Sequence, residues 1–193
     1  MKNTLLLLVS LVITANVCAQ SEKNDLKLTV SALPLFGSSQ TFESGINGYV
    51  IKPALGYYIS PKTSIELNFT YATLDDLRVG RVDSYYNSYG FVPTLRNNFI
   101  NNKKLRLFAE FGLGLGTIKY EADDNSLTNV QHQDLSGGIA MLNVGLGANF
   151  FFTPTFGLEL IIPYINTRNI TSDRSNNLYS GIGPTIGLSY VIN

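Results

Sequence analysis

From Lys104 to Tyr120 the chain reads KLRLFAEFGLGLGTIKY, and a period of two sorts these residues cleanly. One face carries Leu105, Leu107, Ala109, Phe111, Leu113 and Leu115; the other carries Arg106, Phe108, Glu110, Gly112, Gly114 and Gly116. Wound into a helix, the same residues would bring Arg106 and Glu110 onto leucine faces. They would also bury three glycines, each costing about 0.5 to 1 kcal/mol. The stretch is therefore read as a strand, and it is longer than the roughly 9 to 11 residues that cross a bilayer at a tilt.

Seven more segments alternate in the same way. Leu26, Leu28, Val30 and Ala32 oppose Lys27, Thr29 and Ser31, ending near Pro34 and Gly37. Tyr49 to Ile59 sets Ile51, Pro53, Leu55 and Tyr57 against Lys52, Ala54, Gly56 and Tyr58, and after Ser60-Pro61-Lys62 the residues Ile65, Leu67, Phe69 and Tyr71 oppose Glu66, Asn68 and Thr70. Tyr89 to about Ile100, Leu142 to Phe150, Phe156 to Tyr164 and Ile182 to Ile192 complete the set of eight. The polar connections after strands two, four and six are about three residues long, while those after one, three, five and seven run to roughly eight to sixteen. Strict alternation of short and long turns is what an antiparallel up-and-down barrel produces with both termini at one end, as in outer-membrane barrels with short periplasmic turns and long outer loops.

The N-terminus supplies the export route. Met1-Lys2-Asn3, an apolar run from Leu5 to Ile13 and Val17-Cys18-Ala19 form a secretory signal with cleavage expected after Ala19. That divides the chain into a signal peptide, 1–19, and a barrel domain, 20–193. Val17 stands where lipid-attachment signals want a small residue, so Cys18 is not read as a lipidation site. The mature chain then has no cysteine for disulfides or thiolate metal ligation. A formal charge of zero with 15% charged residues gives no case for a nucleic-acid partner.

Charge decides which face meets lipid. The polar faces carry Lys52, Glu66, Arg96, Arg106, Glu110 and Glu159. Turned toward hydrocarbon, each basic group near the midplane would cost about 2 to 4 kcal/mol, and together they would exceed a typical domain's stability. They are expected to point inward as a mutually neutralising lumen network. Inward glycines ease the crowding of so narrow an interior and leave room for water. Tyr57, Phe150, Phe156 and Tyr190 are expected in one aromatic girdle, with Tyr71, Tyr89 and Tyr164 in the other.

The signal peptide, the eight amphipathic strands, the alternating turns and the KKLRLFAEFGLGLG pattern resemble the OmpX/OmpA-like, porin-like eight-stranded outer-membrane barrels of Gram-negative bacteria. That resemblance implies an all-β, eight-stranded antiparallel transmembrane barrel in the cell outer membrane. It further implies contact with outer-membrane lipid, insertion by the barrel-assembly machinery, and no shared catalytic residues or cofactors. Members commonly end in an aromatic residue that serves as the assembly signal; here the end is Tyr190-Val191-Ile192-Asn193.

Other chemistry is thin. His132, the lone histidine, falls in the longest polar stretch with Glu121, Asp123, Asp124, Asp134 and Ser136. Neither a catalytic nor a metal spacing singles these residues out from an ordinary solvated loop. Gly112, Gly114 and Gly116 precede no helix and form no nucleotide loop. The reading is a non-enzymatic, monomeric barrel that contacts surface ligands through long loops. A narrow pore for small solutes and a soluble lipocalin-like ligand-binding barrel are the alternatives.

Overall fold

The computed structural model describes residues 23–37, 46–77, 82–102, 104–124, 131–171 and 177–192. The expected cleavage point, Ala19, and Cys18 lie outside these residues. The strands are β1 Leu26–Gly37, β2 Ile46–Ser60, β3 Thr63–Leu77, β4 Val82–Asn101, β5 Leu105–Asp124, β6 Gln131–Phe151, β7 Phe156–Asn169, β8 Asn177–Ile182 and β9 Thr185–Ile192. Each pairs antiparallel with its neighbours in the order β6-β5-β4-β3-β2-β1-β9-β7-β8, and β6 also pairs with β7, so the sheet closes on itself. β8 and β9 are successive pieces of one stave, which makes an eight-stave barrel. Closure leaves almost no open edge, the condition for putting strands in hydrocarbon.

Alternation along every stave sets the two faces. Leu113, Leu115, Leu146, Ile162 and Ile186 are exposed on the outside, while Lys52, Glu66, Arg96, Glu110 and Glu159 are buried within. A lipocalin-type barrel needs the reverse distribution, and that alternative falls on this observation. Tyr57, Phe150, Phe156 and Tyr190 are exposed toward the short-turn end. Toward the other end Tyr71 stacks on Tyr89 at 5.1 Å and meets Tyr49 edge-on at 6.2 Å. Amphipathic rings at both levels suit the two membrane interfaces.

Two features differ from the sequence reading. The stretches Thr73–Ser84 and Glu121–Ser136, expected as loops, are largely strand: β3 runs to Leu77, β4 starts at Val82, β5 runs to Asp124 and β6 starts at Gln131. His132 is accordingly a β6 residue, in register with Asp123. Backbone pairing runs unbroken to these ends, Leu77 with Asp83 and Asp124 with Gln131, and extends strands whose sequence lacks apolar alternation. Two of the outer connections thereby shrink, to residues 78–81 and 125–130, while the first keeps its expected span of 38–45.

The second difference is a break in the last stave at Gly183-Pro184. β9 pairs with β1 only as far as Ile186 with Ala32, and β7 changes partner between Ile161, opposite Thr185, and Tyr164, opposite Ile182. Continuing the β1 register would set Pro34 against Pro184, and Pro163 of β7 adjoins the same point. Proline has no N–H to give a ladder, and three of them converge here. Beyond the break β8 pairs with β7 while Leu33–Gly37 of β1 pairs with β2 alone. Because Pro34 is in register with Tyr49 of the outer girdle, the unzipped edges lie at the interface, where water and headgroups can satisfy them. In hydrogen-exchange mass spectrometry of the refolded barrel, peptides covering β8 are expected to exchange at least about ten times faster than those covering β9. Equal protection would mean the seam is zipped.

Candidate functional site

The interior is organised around Arg96. Its register partner on β5 is Glu110, and its guanidinium reaches across the lumen. Nη1 donates to Glu159 Oε2 at 2.6 Å and Nη2 to Glu110 Oε2 at 2.7 Å, with Glu66 Oε2 at 3.2 Å. One planar fork thus engages three carboxylates from three other strands, a geometry a lysine cannot reproduce. Lys27 bridges two of the same acids, with Nζ 2.7 Å from Glu159 Oε2 and 3.2 Å from Glu66 Oε1. Glu110 Oε1 accepts from Asn143 Nδ2 at 2.8 Å, and Lys52 Nζ stands 3.8 Å from the same oxygen. Ser64 Oγ donates to Glu66 Oε1 at 3.1 Å. The Arg96 guanidinium sits over the Phe108 ring, 3.9 Å from its centroid, a cation-π contact removed from water.

Of the six charges singled out in the sequence, Lys52, Glu66, Arg96, Glu110 and Glu159 come together in this cluster. Arg106 belongs to a separate layer nearer the short turns: Nη1 donates to Tyr58 Oη at 3.1 Å, and its guanidinium covers the Phe151 ring at 4.3 Å. Lys27 was missed as a network member although its inward position follows from period two in β1. With Asp25 it completes a balance among the described residues of four buried cations, Lys27, Lys52, Arg96 and Arg106, against four buried anions, Asp25, Glu66, Glu110 and Glu159. Phe108 was also passed over, because a search for charge ignores the ring that a charge stacks on. The inward glycines ease the crowding of the lumen, as expected of them. A Cβ on Gly147 would run into the Phe108 ring, and one on Gly112 would strike Thr94. At these two positions a neighbouring side chain occupies the space the glycine leaves.

Apolar layers close this ionic storey on both sides. Toward the short turns Phe151 packs on Val191. Toward the outer end Leu33, Val50, Ala72 and Ile165, then Val92, Ile118, Ile139 and Met141, form two clusters that share Tyr86. Lys27, Glu66, Arg96, Arg106 and Glu159 are each 2% exposed or less, so water has no room to reach them. A cavity of about 20 Å³ beside Lys52, Val92, Met141, Asn143 and Ile165 holds a single water at most.

A closed antiparallel barrel, apolar outside, ionic inside and belted by aromatic rings, is an integral membrane protein of the outer-membrane type. The chain belongs to the outer membrane protein beta-barrel domain family, whose model matches residues 4–191, and its place is the cell outer membrane. No curated protein matches it significantly in sequence. Among solved structures it is similar in fold to Ail, the attachment invasion locus protein of Yersinia pestis, with 13% identity over 88% of this chain and 99% of that one and a TM-score of 0.53. It is also similar to Neisserial surface protein A, with 15% identity, 86% and 96% coverage and a TM-score of 0.53. OprG from Pseudomonas aeruginosa gives 10% identity, 92% and 100% coverage and a TM-score of 0.52.

Proposed function

We propose that this barrel is a sealed, non-enzymatic and monomeric wall element that works at the cell surface through its projecting hairpins. The carrying observation is the occluded lumen: an ionic storey of buried, mutually paired charges, capped on both sides by apolar side chains. An ion traversing it would have to displace Arg96 from three carboxylates at once. Reconstituted into planar bilayers, the protein is expected to give no stable conductance. Reproducible unitary steps would overturn the reading in favour of the solute pore.

The extended hairpins give the surface role a chemistry. Residues 73–90 and 117–136 contain seven acids, Asp75, Asp76, Asp83, Glu121, Asp123, Asp124 and Asp134, against three basic residues, Arg78, Arg81 and Lys119. Such a rim favours a cationic partner. Ail has been crystallised with the heparin analogue sucrose octasulfate; an acidic rim of this kind would repel a polysulfate, so we do not carry that ligand over. The six charges Lys52, Glu66, Arg96, Arg106, Glu110 and Glu159 serve structure, holding the staves together. Insertion by the barrel-assembly machinery fits the closed sheet.

A further inference from the structure

Two adjoining hollows mark the outer wall where β6 meets β7 and β8. The lower, about 230 Å³, is lined by Ala109, Val144, Leu146, Ile162, Tyr164 and Ile182. The upper, about 280 Å³, is lined by Ala140, Leu142, Tyr164, Asn166 and Arg168. Tyr164 belongs to both. Small side chains make the space: Ala109 and Ala140 stand among the larger Val144, Leu146, Ile162 and Tyr164, so each leaves a dent that its neighbours wall in.

Cross-strand register orders these residues into a chemical gradient. Leu146 pairs with Ile162, Val144 with Tyr164, Leu142 with Asn166, and Ala140 with Arg168. On the far side of β7, Tyr164 pairs with Ile182 and Asn166 with Ser180. Read outward from the membrane centre, the rows run apolar, apolar with an aromatic, polar amide, cation. Three steps of two residues cover about 20 Å along the strand, which at a barrel's tilt is about the depth of one leaflet. At the foot Leu146, Ile162 and Ile182 are 63, 62 and 71% exposed, among the most open apolar groups on the molecule. At the top Tyr164 Oη lies 3.0 Å from Ser180 Oγ and accepts from Asn166 Nδ2 at 3.5 Å, presenting hydroxyl and amide groups beneath the exposed Arg168.

We propose that this graded groove is a binding site for one outer-leaflet lipid with a net-anionic phosphate headgroup. Arg168 pairs with the phosphate, Asn166 and Tyr164 hydrogen-bond to the headgroup's polar atoms, and an acyl chain lies along Val144, Leu146, Ile162 and Ile182. Charge complementarity selects the head, since Arg168 is the cation the groove offers at headgroup depth. The apolar hollow below selects a lipid over a free anion. The site is on the outside of the wall and independent of the sealed lumen, so its failure would leave the proposed function standing.

The test is native mass spectrometry of the full chain refolded in neutral maltoside micelles with equimolar phosphatidylglycerol and phosphatidylcholine. Phosphatidylglycerol is expected to be retained about fivefold in preference, the ratio one basic side chain produces at an anionic surface. Arg168→Gln should reduce that to parity, while Lys119→Gln, an outward cation on β5 away from the groove, should leave it unchanged. Ala109→Phe, which fills the lower hollow, should lower retention of both lipids. Heat-modifiable gel migration verifies that each variant is a folded barrel. No preference in the wild type, a preference that survives Arg168→Gln, or retention that persists in Ala109→Phe yet is abolished by inorganic phosphate would each overturn the proposal, the last by showing a bare anion site.

Discussion

Arg96→Leu is expected to destabilise the folded barrel by about 3 to 5 kcal/mol, the cost of leaving buried charge without its partner. Three carboxylates lose their shared cation at a stroke: Glu110 and Glu159 lose contacts of 2.7 and 2.6 Å, and Glu66 one of 3.2 Å. Lys27 still reaches Glu66 and Glu159, and Lys52 lies 3.8 Å from Glu110, so the cluster is weakened rather than emptied. Urea unfolding of the protein in lipid vesicles reads the difference. The penalty is one of orphaned charge, so adding Glu110→Gln and Glu159→Gln should recover part of it. Replacing a buried ionic cluster outright with neutral groups is often tolerated where removing one member is not. A loss below about 1 kcal/mol for Arg96→Leu, within the range of an exposed pair, would mean that the network does not hold the staves together.

The second large effect lies one layer away. Phe108→Ala should cost about 3 to 5 kcal/mol, the usual range for emptying a buried aromatic site. Its ring is wholly buried, supports Arg96 at 3.9 Å and has Lys27 at 5.8 Å on the ring face. Collapse is difficult because the barrel wall around it is hydrogen-bonded on both sides, with Phe108 between Asn98 and Gly147. Phe108→Leu keeps much of the volume and should lose less. Phe111→Ala is the control: three residues along the same strand but half exposed on the outside, it exchanges lipid contact for lipid contact and should cost clearly less in the same assay. Equal losses at 108 and 111 would show that the lumen is loosely packed.

Much of this was legible because the rule behind it is local. Successive residues of a strand face opposite ways, and here one way is hydrocarbon and the other a narrow lumen. Glu110 flanked by Ala109 and Phe111, or Arg96 by Leu95 and Asn97, states its direction without reference to any other strand. Turn lengths supplied the connectivity, again from neighbouring residues alone. What failed did so where that contrast disappears. Asp75, Asp83, Glu121 and Asp134 lie on strand ends whose sequence does not alternate, and there the period carries no signal to separate strand from loop.

The sequence by itself determined the number of staves, their faces and the inward direction of Lys52, Glu66, Arg96, Arg106, Glu110 and Glu159, because each follows from a period of two read against lipid. Only the tertiary structure decided that Arg96, rather than Arg106, is the hub, that Lys27 joins it across the lumen, and that Phe108 fits into the space Gly147 leaves. It alone placed Pro34, Pro163 and Pro184 at one seam and set Arg168 above Tyr164 and Ile162 on a graded wall. These are relations between strands far apart in the chain, and they arise when closure of the ring fixes register and brings opposite walls within reach of a single side chain.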